Sequence, residues 1–410
     1  MGGFCSQPQR SAKHVVIVGG GLGGKSMAGL ADTAFAVTLV EKRGAMIYKI
    51  GMPRGLVDTS FATDCLVPYD KLMPNGGTVR TGVAVTRVDG SASKVHLDNG
   101  SDLSYDYLIL AVGARSHSPC EPPPNACDET STAGIIEYFK KVCEEIKTAS
   151  RVVLVGGGPV GVELAGEIRQ AFGAEKSITV CHSGPAPCHN QQGIDTPAAF
   201  QKKLLDACKA QNIDLKLNVK ADLSTPAVQE QLAQKGYATG DLPITLSDGE
   251  VIQADMVISC IGATPGGQTL EGVTLDGKGA IKVNEHLQVE GFDAGNVFAI
   301  GDCTNTQELR LSGTAAGKYK MGMMGATGNA DVVFDNIKAI EKGKKPSAKI
   351  VQPPKTAMMI VPVGTHDKKM GAVVAPVPNM RHGTLMGFKQ KDYFLKIQRD
   401  IMNAPLSAKK

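Results

Sequence analysis

The sequence predicts an α/β protein with two parallel β-sheets and a small α+β domain at its C-terminal end. Two strand–turn–helix segments predict the sheets: HVVIVGGGLGGKSMAGL (residues 14–30) and RVVLVGGGPVGVELAGEI (residues 151–168) each join an apolar run to a glycine-rich turn and a helical pattern. The apolar runs YLILAVG and ADMVISCIG do not alternate with polar residues, which is typical of strands buried on both faces. The 410 residues exceed the roughly 250–300 that one core usually supports, so we expect several domains.

Composition excludes several classes of function. The formal net charge is only +4, without a block of Lys and Arg, so no nucleic acid is expected as a partner. No apolar run approaches the roughly 20 residues that a membrane-spanning helix needs. The ten cysteines show neither C-x-x-C nor zinc-ligand spacing, which predicts free thiols and no metal site.

The first glycine turn fits two phosphate-binding patterns. Gly19, Gly21 and Gly24 form G-x-G-x-x-G, the turn of a dinucleotide-binding Rossmann unit. Gly19 and Gly24 also combine with Lys25 and Ser26 as G-x-x-x-x-G-K-S, the P-loop of nucleoside triphosphatases. Both turns direct backbone N–H groups and a helix N-terminus at phosphate, so the glycines alone do not distinguish them.

The residues that follow favour a dinucleotide. The next strand, AVTLV, ends at Glu41, where an acidic residue can bond a ribose hydroxyl; a solvated charge after a strand is the alternative interpretation. A P-loop enzyme needs an Asp after a later apolar strand to help hold magnesium, but both candidate strands run into glycine. The residues predicted to bind the first dinucleotide are Gly19, Gly20, Gly21, Leu22, Gly23 and Gly24.

A second turn of the same kind contains Gly156, Gly158 and Gly161. Two turns predict two dinucleotide sites, and the economical interpretation is FAD in the first and NADH or NADPH in the second, arranged for hydride transfer. The acid position of the second unit reads C-H-S around His182, with no carboxylate for a ribose 2′-OH and no arginine for a 2′-phosphate. His182 is a candidate donor to the cofactor and equally a plain surface residue. The sequence therefore predicts use of both NADH and NADPH.

Later strands supply further candidate contacts. Residues 105–115 and 254–265 each combine an apolar strand with a small-residue turn, containing Gly113 and Gly262, that we interpret as a crossover between domains. In GNVFAIGDCT a buried strand leads to Asp302, which can accept a bond from the ribityl chain of FAD; a helix N-cap is a compatible alternative. The predicted domains are a flexible arm (1–11), an FAD domain (12–117 and 263–345), an NAD(P) domain (118–262) and a C-terminal domain (346–410).

The chain resembles the apoptosis-inducing-factor-like flavoproteins, whose two Rossmann-like domains are of glutathione-reductase-like type. The resemblance rests on both glycine turns, on VNEHLQVEG and on NVFAIGDC, and covers about residues 12–345. It implies an NAD(P)H:quinone oxidoreductase that reduces ubiquinone-type quinones to quinols, which act as lipid-radical-trapping antioxidants. The FAD contacts that it implies are Gly19 to Gly23, Glu41, Arg54, the backbone near Ala84, and Asp302.

The resemblance also implies two catalytic residues. Glu163, in the G-V-E of the second turn, would lie near the nicotinamide and flavin and orient the nicotinamide or relay a proton. Lys355, in QPPKTAMMI, would lie at the quinone side of the flavin. The helix after the first turn has no cysteine, so a disulfide substrate is disfavoured and a quinone or another small acceptor is favoured. The alternative function is a cell-death signalling flavoprotein with incidental NAD(P)H oxidation.

The first residues contain a lipidation motif. MGGFCS matches M-G-x-x-x-[ST], which predicts myristoylation of Gly2, and Cys5 is a candidate for palmitoylation. One acyl chain binds a membrane only marginally. We therefore expect a peripheral protein on the cytoplasmic face of the plasma membrane, lipid droplet or mitochondrial outer membrane, with a cytosolic pool. We expect the C-terminal run to form one helix with an apolar stripe. This stripe would pack in the core, form a homodimer contact or touch the membrane. Its residues are Tyr393, Phe394, Ile397, Ile401 and Met402.

Overall fold

The computed structural model describes residues 10–191, 194–305, 326–350, 359–364, 370–374 and 382–401. The predictions for Gly2, Cys5 and Lys355 lie outside these residues. Within them, every helix is too short or too polar to span a bilayer.

The described chain contains both strands and helices throughout its length. The strands are β1 (Ser11–Val18), β2 (Phe35–Glu41), β3 (Met46–Ile47), β4 (Leu66–Val67), β5 (Thr78–Thr81), β6 (Val85–Asp89), β7 (Lys94–Leu97), β8 (Asp102–Ser104), β9 (Tyr107–Leu110), β10 (Ala114–Ser116), β11 (Arg151–Val155), β12 (Ser177–His182), β13 (Asn190–Gln191), β14 (Ile194–Asp195), β15 (Asp214–Leu217), β16 (Tyr237–Thr245), β17 (Val251–Ser259), β18 (Ala263–Pro265), β19 (Val297–Ala299), β20 (Met359–Pro362) and β21 (Gly371–Val374). The helices are α1 (Leu22–Ala31), α2 (Met52–Gly55), α3 (Thr59–Cys65), α4 (Thr132–Thr148), α5 (Pro159–Phe172), α6 (Ala198–Ala210), α7 (Pro226–Lys235), α8 (Ala326–Glu341), α9 (His382–Asp392) and α10 (Leu395–Ile401).

The chain divides into two compact units. The first unit comprises Met1–Gly44, Pro68–Ala114 and Pro265–Pro353, and the second comprises Ala45–Val67, Arg115–Thr264 and Pro354–Lys410. The predicted domain boundaries stay a prediction, and this division groups two segments differently. Residues 45–67 group with the second unit, and the C-terminal segment joins that unit instead of standing apart.

The first unit is built on a parallel sheet in the order β19-β9-β1-β2-β5, beside an antiparallel sheet of β6, β7 and β8. The second half of β1 and all of β9 are buried, because both faces of the sheet are covered. Helix α1 packs against α8 in this unit. Since the strands are parallel, the turns that follow β1, β2, β9 and β19 lie at one edge of the sheet.

The second unit repeats this architecture in the order β15-β12-β11-β17-β16, with only β16 antiparallel to its neighbour among these strands. A cluster of buried aliphatic side chains fills one face of the sheet, including Val153, Val155, Ile244 and Val257. The α/β fold class is confirmed. The hairpin β20–β21 packs against α5, α6 and α9.

The prediction of one continuous helix near the C-terminus is wrong. Helices α9 and α10 are separated at Tyr393 and Phe394, whose φ angles of +51° and +63° lie in the left-handed region. The Asp392 side chain accepts from the Phe394 N–H at 3.0 Å. The Tyr393 side chain is fully buried instead of joining an apolar stripe along one helix.

Candidate cofactor-binding sites

The first glycine turn lets α1 approach the sheet closely. Gly19 has φ +98°, and its N–H donates to the Val40 carbonyl at 2.8 Å. A Cβ at Gly19 would collide with the Ala111 carbonyl, and one at Gly24 would collide with the Gly19 carbonyl. Both positions therefore require glycine for packing within the protein itself.

Gly21 has a different role, because a Cβ there would meet no protein atom within 4 Å. It is the N-cap of α1, where no side chain satisfies the first N–H groups. Leu22 and Gly23 form the first helical turn. An open helix N-terminus with exposed backbone donors fits the diphosphate of a dinucleotide.

The P-loop residues do not have the roles that a triphosphatase would require. The Ser26 hydroxyl donates to the Leu22 carbonyl at 2.8 Å, as a helix residue does. Lys25 is buried, and burial lowers the pKa of its ammonium group to about 8. Both observations favour the dinucleotide interpretation of the turn.

The Glu41 side chain stabilises the first glycine turn by hydrogen bonds. Its Oε2 accepts from the Gly20 N–H at 2.6 Å and its Oε1 from the Arg43 N–H at 3.0 Å, and the residue is only 7% exposed. Tyr69 contacts the same turn, because its hydroxyl donates to the Gly20 carbonyl at 3.0 Å. Nothing in the local sequence around Tyr69 indicates this contact. The bond from Glu41 to a ribose stays a prediction.

The remaining candidates of the first unit gather at the same sheet edge. Gly113 (φ +66°) follows β9, and the 3₁₀ turn Gly301–Cys303, which contains Asp302, follows β19. A Cβ at Gly113 or Gly301 would also meet open space. Ala84 lies just before β6, where its carbonyl accepts from the Asp98 N–H at 2.9 Å. The first unit thus brings most of the predicted FAD contacts to one edge.

The second glycine turn reproduces the first. Gly156 has φ +116°, and a Cβ at Gly161 would collide with its carbonyl. Gly158 is the N-cap of α5, and a Cβ there would meet nothing within 4 Å; the same holds at Gly262, which follows β17. The second turn therefore offers the same open helix N-terminus to a second dinucleotide.

His182 stands where Glu41 stands in the first unit, at the end of the second strand. Its Nδ1 accepts from the Gly157 N–H at 3.2 Å, so Nε2 bears the proton of a neutral ring. Nε2 is buried with no hydrogen-bond partner among the described residues. Burial lowers the pKa of His182, which keeps the imidazole uncharged at neutral pH.

Glu163, on α5, is 3% exposed and forms an ion pair with a lysine that no sequence pattern indicates. The Lys389 ammonium on α9 donates to its Oε1 at 2.6 Å and to the Ile360 carbonyl at 2.7 Å. Burial raises the pKa of Glu163 to about 7, although Lys389 acts in the opposite direction. The two residues are 226 positions apart, so no local pattern could have linked them.

Arg54 belongs to the second unit, whereas the other predicted FAD contacts belong to the first. Its guanidinium donates to the Gln390 carbonyl at 2.7 Å and the Lys391 carbonyl at 3.0 Å, and lies 4.8 Å from the centre of the Tyr393 ring. Arg54 also contacts Glu167 at 3.4 Å. In this structure Arg54 anchors α9, and its contact with FAD stays a prediction.

Comparison with known proteins identifies relatives over most of the chain. A sequence profile of the family described as "Pyridine nucleotide-disulphide oxidoreductase" matches residues 13–325. The chain is 30% identical to Apoptosis-inducing factor homolog B of Dictyostelium discoideum over 351 residues, which is 81% of this chain and 82% of that protein. It is also 30% identical to Ferroptosis suppressor protein 1 of Taeniopygia guttata over 328 residues, which is 79% of this chain and 80% of that protein.

A solved structure has a fold similar to that of this chain. Reduced CoADR-RHD of Bacillus anthracis matches with a TM-score of 0.61 at 20% identity, covering 87% of this chain but only 61% of that one. This chain therefore spans less than two thirds of that protein. The predicted resemblance and the predicted pair of cofactors are confirmed. The chain belongs to the pyridine nucleotide-disulphide oxidoreductase family, and its cofactors are FAD and NADH or NADPH.

Proposed function

We propose that this NAD(P)H oxidoreductase passes electrons to a ubiquinone-type quinone at a membrane surface and so supplies quinols that trap lipid radicals. The observation that supports a small acceptor is the cysteine content of the first unit. Cys303 is the only cysteine among that unit's described residues, and it is buried, with its thiol pointing to the Ile300 carbonyl at 3.2 Å. Burial raises the pKa of this thiol to about 12. A dithiol relay to a disulfide substrate therefore has no candidate there.

Bound FAD would accept a hydride and deliver electrons to a second substrate. The protein contributes Glu163, whose pKa of about 7 suits the uptake and release of a proton near neutral pH. We propose that Glu163 orients the nicotinamide or relays a proton, and that Lys355 stabilises charge on the quinone or flavin. Both roles rest on the family resemblance.

Steady-state turnover per bound flavin tests this proposal. The holoprotein should oxidise NADH and NADPH rapidly with a water-soluble quinone and slowly with a disulfide or with dissolved oxygen alone. The relative named as an apoptosis-inducing factor homologue supports a second candidate, a signalling flavoprotein with incidental oxidation. Turnover that a panel of quinones does not raise above the oxygen background would favour that candidate and reject the quinone.

Gly158→Val should leave FAD bound but prevent its reduction by NADH or NADPH. The residue has φ −76° and open space around it, so the protein itself tolerates a side chain, which would instead occupy the place of the diphosphate. The measurement is flavin absorbance before and after anaerobic addition of each nucleotide. Reduction at the wild-type rate by either nucleotide would mean that the nicotinamide site lies elsewhere.

We propose myristoylation of Gly2 as the membrane anchor, with Cys5 as a second acylation site. Gly2→Ala removes the acceptor of the acyl chain, so membrane pelleting from cells should fall sharply, whereas turnover with a soluble quinone should stay unchanged. Fractionation and turnover are measured on the same preparations. Unchanged pelleting of the variant would contradict the assignment of Gly2 as the principal anchor.

A further inference from the structure

The N-terminal segment joins the described fold beside the end of α8. Ser11, at the start of β1, donates from its hydroxyl to Glu341 Oε2 at 3.4 Å, and Glu341 is the last residue of that helix. The Tyr107 hydroxyl donates to the other carboxylate oxygen at 2.7 Å. The first described residues of the chain therefore lie beside the end of this helix.

Those residues are strongly basic and exposed. Lys342, Lys344 and Lys345 fall within four positions, and all three are exposed. No ion pair or side-chain hydrogen bond joins any of them to another residue in the part of the chain that the structure describes. We call these three residues the lysine cluster.

Three other lysines nearby already have carboxylate partners. Lys338 lies 3.2 Å from Asp335, Lys349 lies 2.8 Å from Glu285, and Lys13 lies 2.9 Å from Asp106. A basic residue in the last helical turn is often explained by the helix dipole, but Lys338 already occupies that turn of α8. Lys345 lies beyond the helix, so the dipole does not account for it.

The surface around the cluster suits phosphate groups better than apolar chains. A cleft of about 360 Å³ is lined by Lys338, Lys342, Lys344, Asp335 and Ser347, together with two alanines. Gly343 has φ +66°, which turns the chain so that Lys344 returns over the end of the helix. The result is a concentrated positive surface at the point where the N-terminal segment leaves.

We propose that the lysine cluster is an electrostatic docking surface for an anionic phospholipid bilayer, acting together with the N-terminal acyl chain. This inference rests on the proposed membrane location. A single myristoyl chain binds marginally, and stable attachment usually needs a second signal such as a polybasic patch. Each lysine held near an anionic surface strengthens binding about fivefold, provided that it stays within a Debye length of about 10 Å.

The test uses the full-length holoprotein without its acyl chain, so that only the cluster is measured. Sedimentation with phosphatidylcholine vesicles is compared with sedimentation with vesicles that also contain phosphatidylserine. The K342Q/K344Q/K345Q variant removes the cluster, and K203Q/K209Q/K220Q removes three exposed lysines of the second unit as the matched control. Flavin content and turnover with a soluble quinone verify that each variant is intact.

We expect wild type and control to bind the anionic vesicles at least tenfold more tightly than the neutral ones, with binding that weakens as salt increases. The cluster variant should lose most of that difference, at most about a hundredfold for three lysines. Equal binding of the cluster variant and wild type, or an equal loss in the control, would overturn the proposal. Binding of the acylated wild-type protein to neutral vesicles measures the acyl anchor separately. A failure of the proposed membrane location can therefore be distinguished from a failure of this inference.

Discussion

Gly21→Val should give a folded protein that is colourless because it does not retain FAD. The new side chain meets no protein atom, and φ −67° is an ordinary backbone angle for valine, so the turn itself has no reason to unfold. The branched side chain instead occupies the space in front of the α1 N-terminus, where a diphosphate needs direct contact with backbone N–H groups. Flavin content should fall at least tenfold, which corresponds to about 1.4 kcal/mol or more of lost binding free energy.

Gly29→Val is the matched control for this experiment. Gly29 lies in the same helix, and a Cβ there also meets nothing within 4 Å. This variant should retain FAD at the wild-type ratio, measured by visible absorbance after gel filtration. A yellow Gly21→Val protein with one flavin per chain would remove the first turn from the FAD site.

Lys389→Met should destabilise the second unit by about 3–5 kcal/mol at pH 8, because it leaves the buried Glu163 carboxylate without its partner. At pH 5 the cost should be smaller, since burial raises the pKa of Glu163 to about 7 and the acid is then protonated. Because burial raises the pKa of Glu163, its protonated form contributes folding stability that is fully present below about pH 4.5. This contribution is lost as the pH rises through about 7.

A double-mutant cycle separates the ion pair from the packing of α9. Glu163→Gln alone removes the negative charge that balances the Lys389 ammonium and should also destabilise, whereas Glu163→Gln with Lys389→Met should recover much of the loss. Lys391→Met, an exposed position on the same helix, is the control that should change little. The measurement is the free energy of unfolding from urea titrations at pH 5 and pH 8. A strictly additive double variant would contradict coupling between the two side chains.

The backbone requirements of both turns could be predicted from the sequence because they are local. Gly19 and Gly156 need positive φ angles, and Gly24 and Gly161 need the absence of a Cβ, so the motif spacing itself reports the geometry. The apolar runs likewise indicate buried parallel strands, since a two-sided sheet has no polar face.

Contacts between residues that are distant in sequence are not indicated by any local pattern. Tyr69 supports the first turn from 49 positions away, and Lys389 reaches Glu163 across 226 positions. The break at Tyr393 was missed for a related reason. Helical periodicity treats each apolar residue as one member of a stripe, whereas the Tyr393 hydroxyl bonds Glu167 at 3.0 Å and its ring faces Arg54.

The two glycine turns also differ in their response to acid. The Gly157 N–H is held by His182 Nδ1, which can accept a hydrogen bond only while the imidazole is neutral. Burial lowers the pKa of His182 below 6.5, so the stability from this bond is present above pH 6.5 and is lost as pH falls through the folded-state pKa. The first turn has no imidazole in the corresponding place. We therefore expect the hydrogen bond that holds the second turn to weaken as the His182 imidazole becomes protonated.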